Sequence, residues 1–182
     1  MNKSITFITG NMNKLKEVKY YLDHPIKHIE LDLTEIQSLD TKKIVEHKVK
    51  EAYAKVHEPV IVEDVSLTFT ALGKLPGPLI KWFLEALKKE GLCRILDNYA
   101  DRSAVASVIF GFYDGKNLEL FEGATKGEIA TNPRGDNGFG WTPIFIPKGY
   151  VQTWGEMTVE EQKVTSMRRI AVEKLAKYLK SL

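Results

Sequence analysis

Two apolar spacings alternate along the first third of the chain. Ser4 to Thr9 is a β-branched run that predicts a strand closing on Gly10-Asn11. From Asn13 the spacing turns helical: Leu15, Val18 and Leu22 share one face, Lys14, Lys16, Glu17 and Lys19 lie outside, and Pro25 ends the helix. A second strand is expected around His28 to Leu33. A second amphipathic helix is predicted from Thr41 to His57, apolar at Ile44, Val45, Val49, Ala52 and Val56. Pro59-Val60-Ile61-Val62 then reads as a short buried strand that runs straight into Glu63-Asp64. Strand, helix, strand, helix, strand is the order of an α/β arrangement.

Further along, a Gly/Pro-rich turn from Gly73 to Pro78 precedes an expected helix over Leu79 to Lys88, with another over Leu92 to Tyr99. An all-β stretch follows: Ala104 to Tyr113, a turn at Asp114-Gly115, Leu118 to Glu122, then Lys126 to Ala130. Asn132 to Gly140 is a polar, glycine-rich loop. A last helix is predicted from Ser166 to Leu179, with Ile170, Leu175 and Leu179 inward. Repeats, low-complexity tracts and linkers are lacking, so 1–182 reads as a single α/β domain with a β-rich extension.

Composition narrows the function. The chain has 182 residues, 43% hydrophobic and 27% charged, with a formal net charge of +2. A near-balanced charge argues against a dedicated nucleic-acid binder, whose affinity rests on neutralising many phosphates. Cys93 is the only cysteine, in an apolar run, which fits a reducing compartment and a small buried side chain better than a nucleophile. The apolar segment Ile5 to Ile8 is too short for a signal peptide's core, and no stretch approaches the ~18 apolar residues of a membrane span, so a cytoplasmic location and no membrane partner are expected.

Several segments carry candidate chemistry. Thr9-Gly10-Asn11-Met12-Asn13-Lys14 joins a strand to a helix, where unpartnered N–H groups and a lysine suit a phosphate, although the P-loop pattern is missing. Glu35, Glu63 and Asp64 are carboxylates of the kind that hold magnesium together with substrate phosphates. Asp64 follows a buried strand, at the sheet edge where ligands of α/β proteins bind, and the adjacent Glu63 should point to the opposite side. Lys81, amid Ile80, Trp82 and Phe83, either reaches to water or meets an anion. Gly138-Phe139-Gly140-Trp141 could form a slot for a flat ring. Ser166 reads as an N-cap before Arg168, whose guanidinium can donate paired hydrogen bonds to a base or a phosphate.

In this order the motifs resemble the inosine triphosphate pyrophosphatase family, the Ham1-like hydrolases of non-standard purine nucleotides. Thr-Gly-Asn with Lys14 is followed by Asp32 to Gln37, Val62-Glu63-Asp64, Ala71-Leu72-Gly73 with Leu75 to Pro78, and Ile80 to Leu84. Phe139-Gly140-Trp141, Glu156-Met157-Thr158 and Ser166 with Arg168 complete the set. The resemblance implies a long mixed β-sheet with flanking helices, two lobes around a central cleft, and a homodimer. It implies hydrolysis of (deoxy)nucleoside triphosphates of inosine or xanthosine to the monophosphate and pyrophosphate. By the same resemblance Thr9, Gly10, Asn11, Lys14, Lys48 and Lys81 hold the triphosphate. Glu35 and Asp64 bind Mg2+ (or Mn2+), and Asp64 is also the base for the attacking water. Phe139, Gly140, Trp141 and Thr142 line the base pocket, Phe139 stacking on the purine, and Arg168 reads the 6-keto oxygen.

Four positions depart from the family pattern: Thr142 replaces Asp, Gln162 replaces Lys, Met167 replaces His between Ser166 and Arg168, and Val65 replaces the Ser or Thr after Asp64. Three of these fall in the base-recognition half, so a weakened or shifted purine preference is the expectation. A nucleotide-binding protein without turnover is the alternative.

Overall fold

The computed structural model describes residues 4–182. In it the strands are β1 (Ile5–Ile8), β2 (Ile26–Ile29), β3 (Val60–Phe69), β4 (Pro76–Gly77), β5 (Ser103–Tyr113), β6 (Leu118–Ile129) and β7 (Phe145–Pro147). The helices are α1 (Met12–Tyr21), α2 (Thr41–Val56), α3 (Ile80–Arg94), α4 (Val159–Thr165) and α5 (Met167–Leu179). All seven strands join one sheet in the order β2-β1-β3-β5-β6-β7, with β4 paired to β3. The sheet is mixed: β1 runs parallel to β2 and β3, while β3–β4 and β6–β7 are antiparallel.

The chain divides into two compact units. The first contains 4–64, 108–123 and 168–182; the second contains 65–107 and 124–167. In the first, Ile8, Val45, Val49, Ala52, Val60, Val62 and Ile109 form one apolar cluster, which is where the faces of β1, α2 and β3 find their partners. In the second, Trp154 stacks at 4.5 Å on Phe145 and at 5.8 Å on Trp141, an aromatic core built around β7.

The elements differ from expectation in instructive ways. β2 starts and ends earlier than His28 to Leu33, because its partner β1 has only four residues and the register Ile5↔Ile26 to Ile8↔Ile29 exhausts them. β3 continues well past Val62, burying Ser66, Leu67 and Phe69, so Glu63 and Asp64 lie inside a strand. The two short strands expected at Leu118 to Glu122 and Lys126 to Ala130 are one continuous β6. Within it Gly127 leaves room for β7: a Cβ there would stand 2.2 Å from the Ile146 carbonyl oxygen. The helices expected on either side of Lys88 form α3, broken at Lys88, whose φ of 58° and ψ of −179° are non-helical. Ile170 is only half-buried; Ala171 and Val172 take the inward positions beside Leu175 and Leu179. No helix among the described residues is long and apolar enough to cross a membrane.

Candidate active site

The turn from β1 into α1 is built by its own side chains. Asn11, in extended backbone conformation, caps α1: its Oδ1 accepts from the N–H groups of Asn13 and Lys14 at 3.0 and 3.3 Å. Thr9 Oγ1 accepts from Asn11 N–H at 3.1 Å. Two charge clusters stand in the same unit. Lys48, on α2, places Nζ 3.1 Å from Asp64 Oδ1 and 3.5 Å from Glu35 Oε1. A single ammonium thus gathers the two carboxylates expected to hold a metal, although they lie 29 positions apart in the chain. Lys14 instead turns to Glu63, with Nζ 3.1 Å from Oε1. Arg168 grips the same carboxylate with a fork, Nε to Oε2 at 2.9 Å and Nη2 to Oε1 at 3.0 Å, and Nη1 donates to Glu17.

Burial and pairing set the protonation of these groups. Burial alone would push the Glu63 carboxyl up; the Arg168 guanidinium and the Lys14 ammonium overcome it and hold it down at about 2. Burial wins at Asp64, whose carboxyl is raised above the ordinary aspartate range against the pull of Lys48 and Lys14. That makes Asp64 a better proton acceptor than an exposed aspartate. Burial disfavours the charge on Lys48, but Asp64 and Glu35 outweigh it and keep the ammonium protonated.

The remaining expected site residues, Val65, Lys81, Phe139 to Thr142, Gln162, Ser166 and Met167, belong to the second unit. Lys81 is exposed and lies over the Trp82 ring, 5.1 Å from its centroid. Trp141 is buried core, whereas Phe139 and Gly140 are half-buried. Thr142 Oγ1 donates to the Asn137 carbonyl at 3.0 Å, and Asn137 Nδ2 donates to the Met157 carbonyl at 3.0 Å. Gln162 Nε2 donates to the carbonyls of Trp154 and Met157 at 2.5 and 3.2 Å. At two positions where the resemblance has a charge, this chain therefore has neutral hydrogen bonds that tie down the glycine-rich loop and the segment before α4. Met167 is buried, and Ser166 directly precedes α5. Val65 is half-buried in β3.

Comparison with known proteins settles the kinship. The family model described as Ham1 family matches residues 5–178. The chain belongs to the Ham1 family. An inosine triphosphate pyrophosphatase of Schizosaccharomyces pombe is 43% identical over 183 aligned residues, covering 98% of this chain and 96% of that protein. Among solved structures, a Ham1 protein of Coxiella burnetii superposes with a TM-score of 0.86 at 27% identity, over 98% of this chain and 99% of that one. A nucleoside-triphosphatase / dITP/XTP pyrophosphatase of Mycobacterium abscessus gives 0.78 at 25% identity, over 95% and 98%. The mixed sheet with flanking helices is the Ham1 fold.

Two features of this Ham1 chain escape sequence reasoning. Glu17, placed on the outer face of α1, is turned to Arg168. Its spacing of three from Lys14 was the available signal, since such residues share a helix face. Arg168, expected to face a base, is buried, with Glu63 along one edge of its guanidinium.

Proposed function

We propose that this Ham1 protein hydrolyses nucleoside triphosphates between the α- and β-phosphates, with non-standard purines such as inosine and xanthosine triphosphates as substrates. The observation that carries the reading is Lys48 held between Glu35 and Asp64, a cation and two hard oxygen donors gathered where the charge of Lys14 on α1 also acts on Asp64. Among the described residues no three His, Cys, Asp or Glu side chains cluster tightly enough to cage a metal unaided. That suits Mg2+, which is usually held by one or two carboxylates and completes its shell with water and substrate phosphates. Glu35 and Asp64 would hold it, and its charge would offset that of the triphosphate during attack.

The protein's own residues do the rest. The turn Thr9 to Asn11, Lys14, Lys48 and Lys81 bind the phosphate chain. Asp64 accepts the proton of a water whose oxygen bonds to the α-phosphorus. The bond from that phosphorus to the bridging oxygen breaks, pyrophosphate leaves with the electron pair, and Asp64 returns the proton to solvent. Phe139 to Thr142 line the base pocket. Arg168 reads the 6-keto oxygen, and Glu63 and Glu17 fix the plane of its guanidinium. A cytoplasmic homodimer acting on free nucleotides completes the proposal.

Pyrophosphate release measured over the triphosphates of inosine, xanthosine, guanosine and adenosine, with and without Mg2+, tests it. Metal-dependent release with inosine or xanthosine triphosphate supports the reading, and none from any of the four overturns it. The neutral ties made by Thr142 and Gln162 favour a relaxed choice of base. A clean preference for inosine and xanthosine would refute that part alone.

A further inference from the structure

β2 carries a residue that the proposed reaction leaves unused. His28 Nε2 lies 2.7 Å from the Thr9 carbonyl oxygen, at the point where β1 gives way to the α1 turn. A carbonyl oxygen only accepts, so this bond requires the proton on Nε2, a condition met by one neutral tautomer and by the imidazolium alike. Pairing of β1 with β2 places His28 opposite Phe7, two residues short of Thr9, which brings the imidazole alongside the turn.

The bond bears on the next amide. A peptide group is planar and trans, so its C=O and the following N–H point in opposite directions. Holding the Thr9 oxygen therefore aims the Gly10 N–H away from β2, and donation into the carbonyl polarises the amide into a stronger donor. The neighbouring amides are committed: Asn11 N–H to Thr9 Oγ1, Asn13 and Lys14 N–H to Asn11 Oδ1. Gly10 is exposed, and its N–H meets no acceptor among the described residues. A carboxylate also stands nearby, since a Cβ on Gly10 would lie 2.9 Å from Glu30 Oε1. An incoming polyanion must contend with that charge, which makes a well-aimed donor on this turn more valuable.

We propose that His28 is a positioning residue for phosphate binding: it locks the Thr9–Gly10 peptide from the carbonyl side and so presents the Gly10 N–H to a phosphate oxygen of the substrate. The inference rests on the proposed function, because it presumes a triphosphate at the α1 turn.

The test compares the full-length wild type with His28→Ala and His28→Gln, the latter retaining an amide donor. Loss of one well-aimed hydrogen bond to a charged group predicts a KM raised about tenfold in His28→Ala, with kcat changed far less. His28→Gln recovers most of the affinity. In 15N-resolved NMR spectra, the Gly10 amide proton moves upfield in His28→Ala and responds less to added inorganic tripolyphosphate. A folded His28→Ala with wild-type KM overturns the proposal, as does equal impairment of the two variants, which would mark His28 as packing only. Wild type that neither binds tripolyphosphate nor releases pyrophosphate overturns the proposed function and this role with it. Tripolyphosphate binding that His28→Ala leaves untouched overturns the role alone.

Discussion

Glu63→Gln removes one buried charge and strands two others. In the native protein the Glu63 carboxylate receives Arg168 through two hydrogen bonds and Lys14 through a third contact, and its side chain is 1% exposed. Its pKa falls from an ordinary 4.5 to about 2. At about 1.36 kcal/mol per pH unit, that difference corresponds to roughly 3 kcal/mol of folding free energy carried by the ionised form. An independent route agrees, since removing one partner of a buried ion pair typically costs about 3–5 kcal/mol. Because the folded value is the lower one, the contribution is complete above the unfolded pKa and drains away as pH falls from about 4.5 towards 2. Urea unfolding at pH 7 should show Glu63→Gln weaker by about 3 kcal/mol, and thermal unfolding should show a drop of roughly 6–12 °C for a chain of this size. The gap between the two proteins should then narrow steadily as the buffer is taken from pH 5 to pH 3. A variant within about 1 kcal/mol of wild type at pH 7, or a gap that does not change with acid, would refute the account, because either result means the cluster is not the desolvated ion pair described.

Asp64→Asn should abolish pyrophosphate release while circular dichroism and the unfolding midpoint remain close to wild type, since in the proposed reaction the group acts on water and metal; retained turnover would remove it from the chemistry. Lys88 sits at φ 58° and ψ −179°, a region nearly reserved for glycine, so Lys88→Gly should stabilise the protein by about 1 kcal/mol, read as a rise of about 2–4 °C in Tm. An unchanged or lower Tm would show that the strain is absent. Burial pushes the Cys93 thiol up to about 11 and leaves the residue 1% exposed. A disulfide exchange reagent at pH 8 should therefore label Cys93 only as fast as the protein unfolds, and rapid labelling of the native protein would contradict the packing described.

The parts of this architecture that local pattern controls were readable from the chain. The periodicities of α1 and α2 and the Asp114-Gly115 turn each depend on neighbours within a few positions. Asp64 was legible as a carboxylate attached to an apolar strand, but not as a residue inside one, because β3 runs on to Phe69. Extent was harder. β2 ends where β1 runs out of residues, a limit set by pairing rather than by its own composition. α4 went unread although Thr158 and Glu161 form a reciprocal capping box, because its exposed positions carry no apolar stripe. Least legible were the ionic contacts. Lys48 was identified only through family resemblance, one lysine among many on the polar side of a helix. The union of Arg168 with Glu63 spans 105 positions, and no window of sequence contains both.

Glu63 and Asp64 also show how much depends on order within a strand. The pleat sends consecutive side chains to opposite sides, so the two acids on adjoining residues take different direct partners, Arg168 and Lys14 for Glu63 and Lys48 for Asp64, while the charge of Lys14 is felt by both. Transposing them, with Asp at 63 and Glu at 64, would preserve composition, net charge and strand propensity alike. It would nonetheless leave the Arg168 fork a methylene short on one side and crowd Lys48 on the other. Parity along β3, more than the inventory of acids, decides which carboxylate meets the Arg168 fork and which meets Lys48.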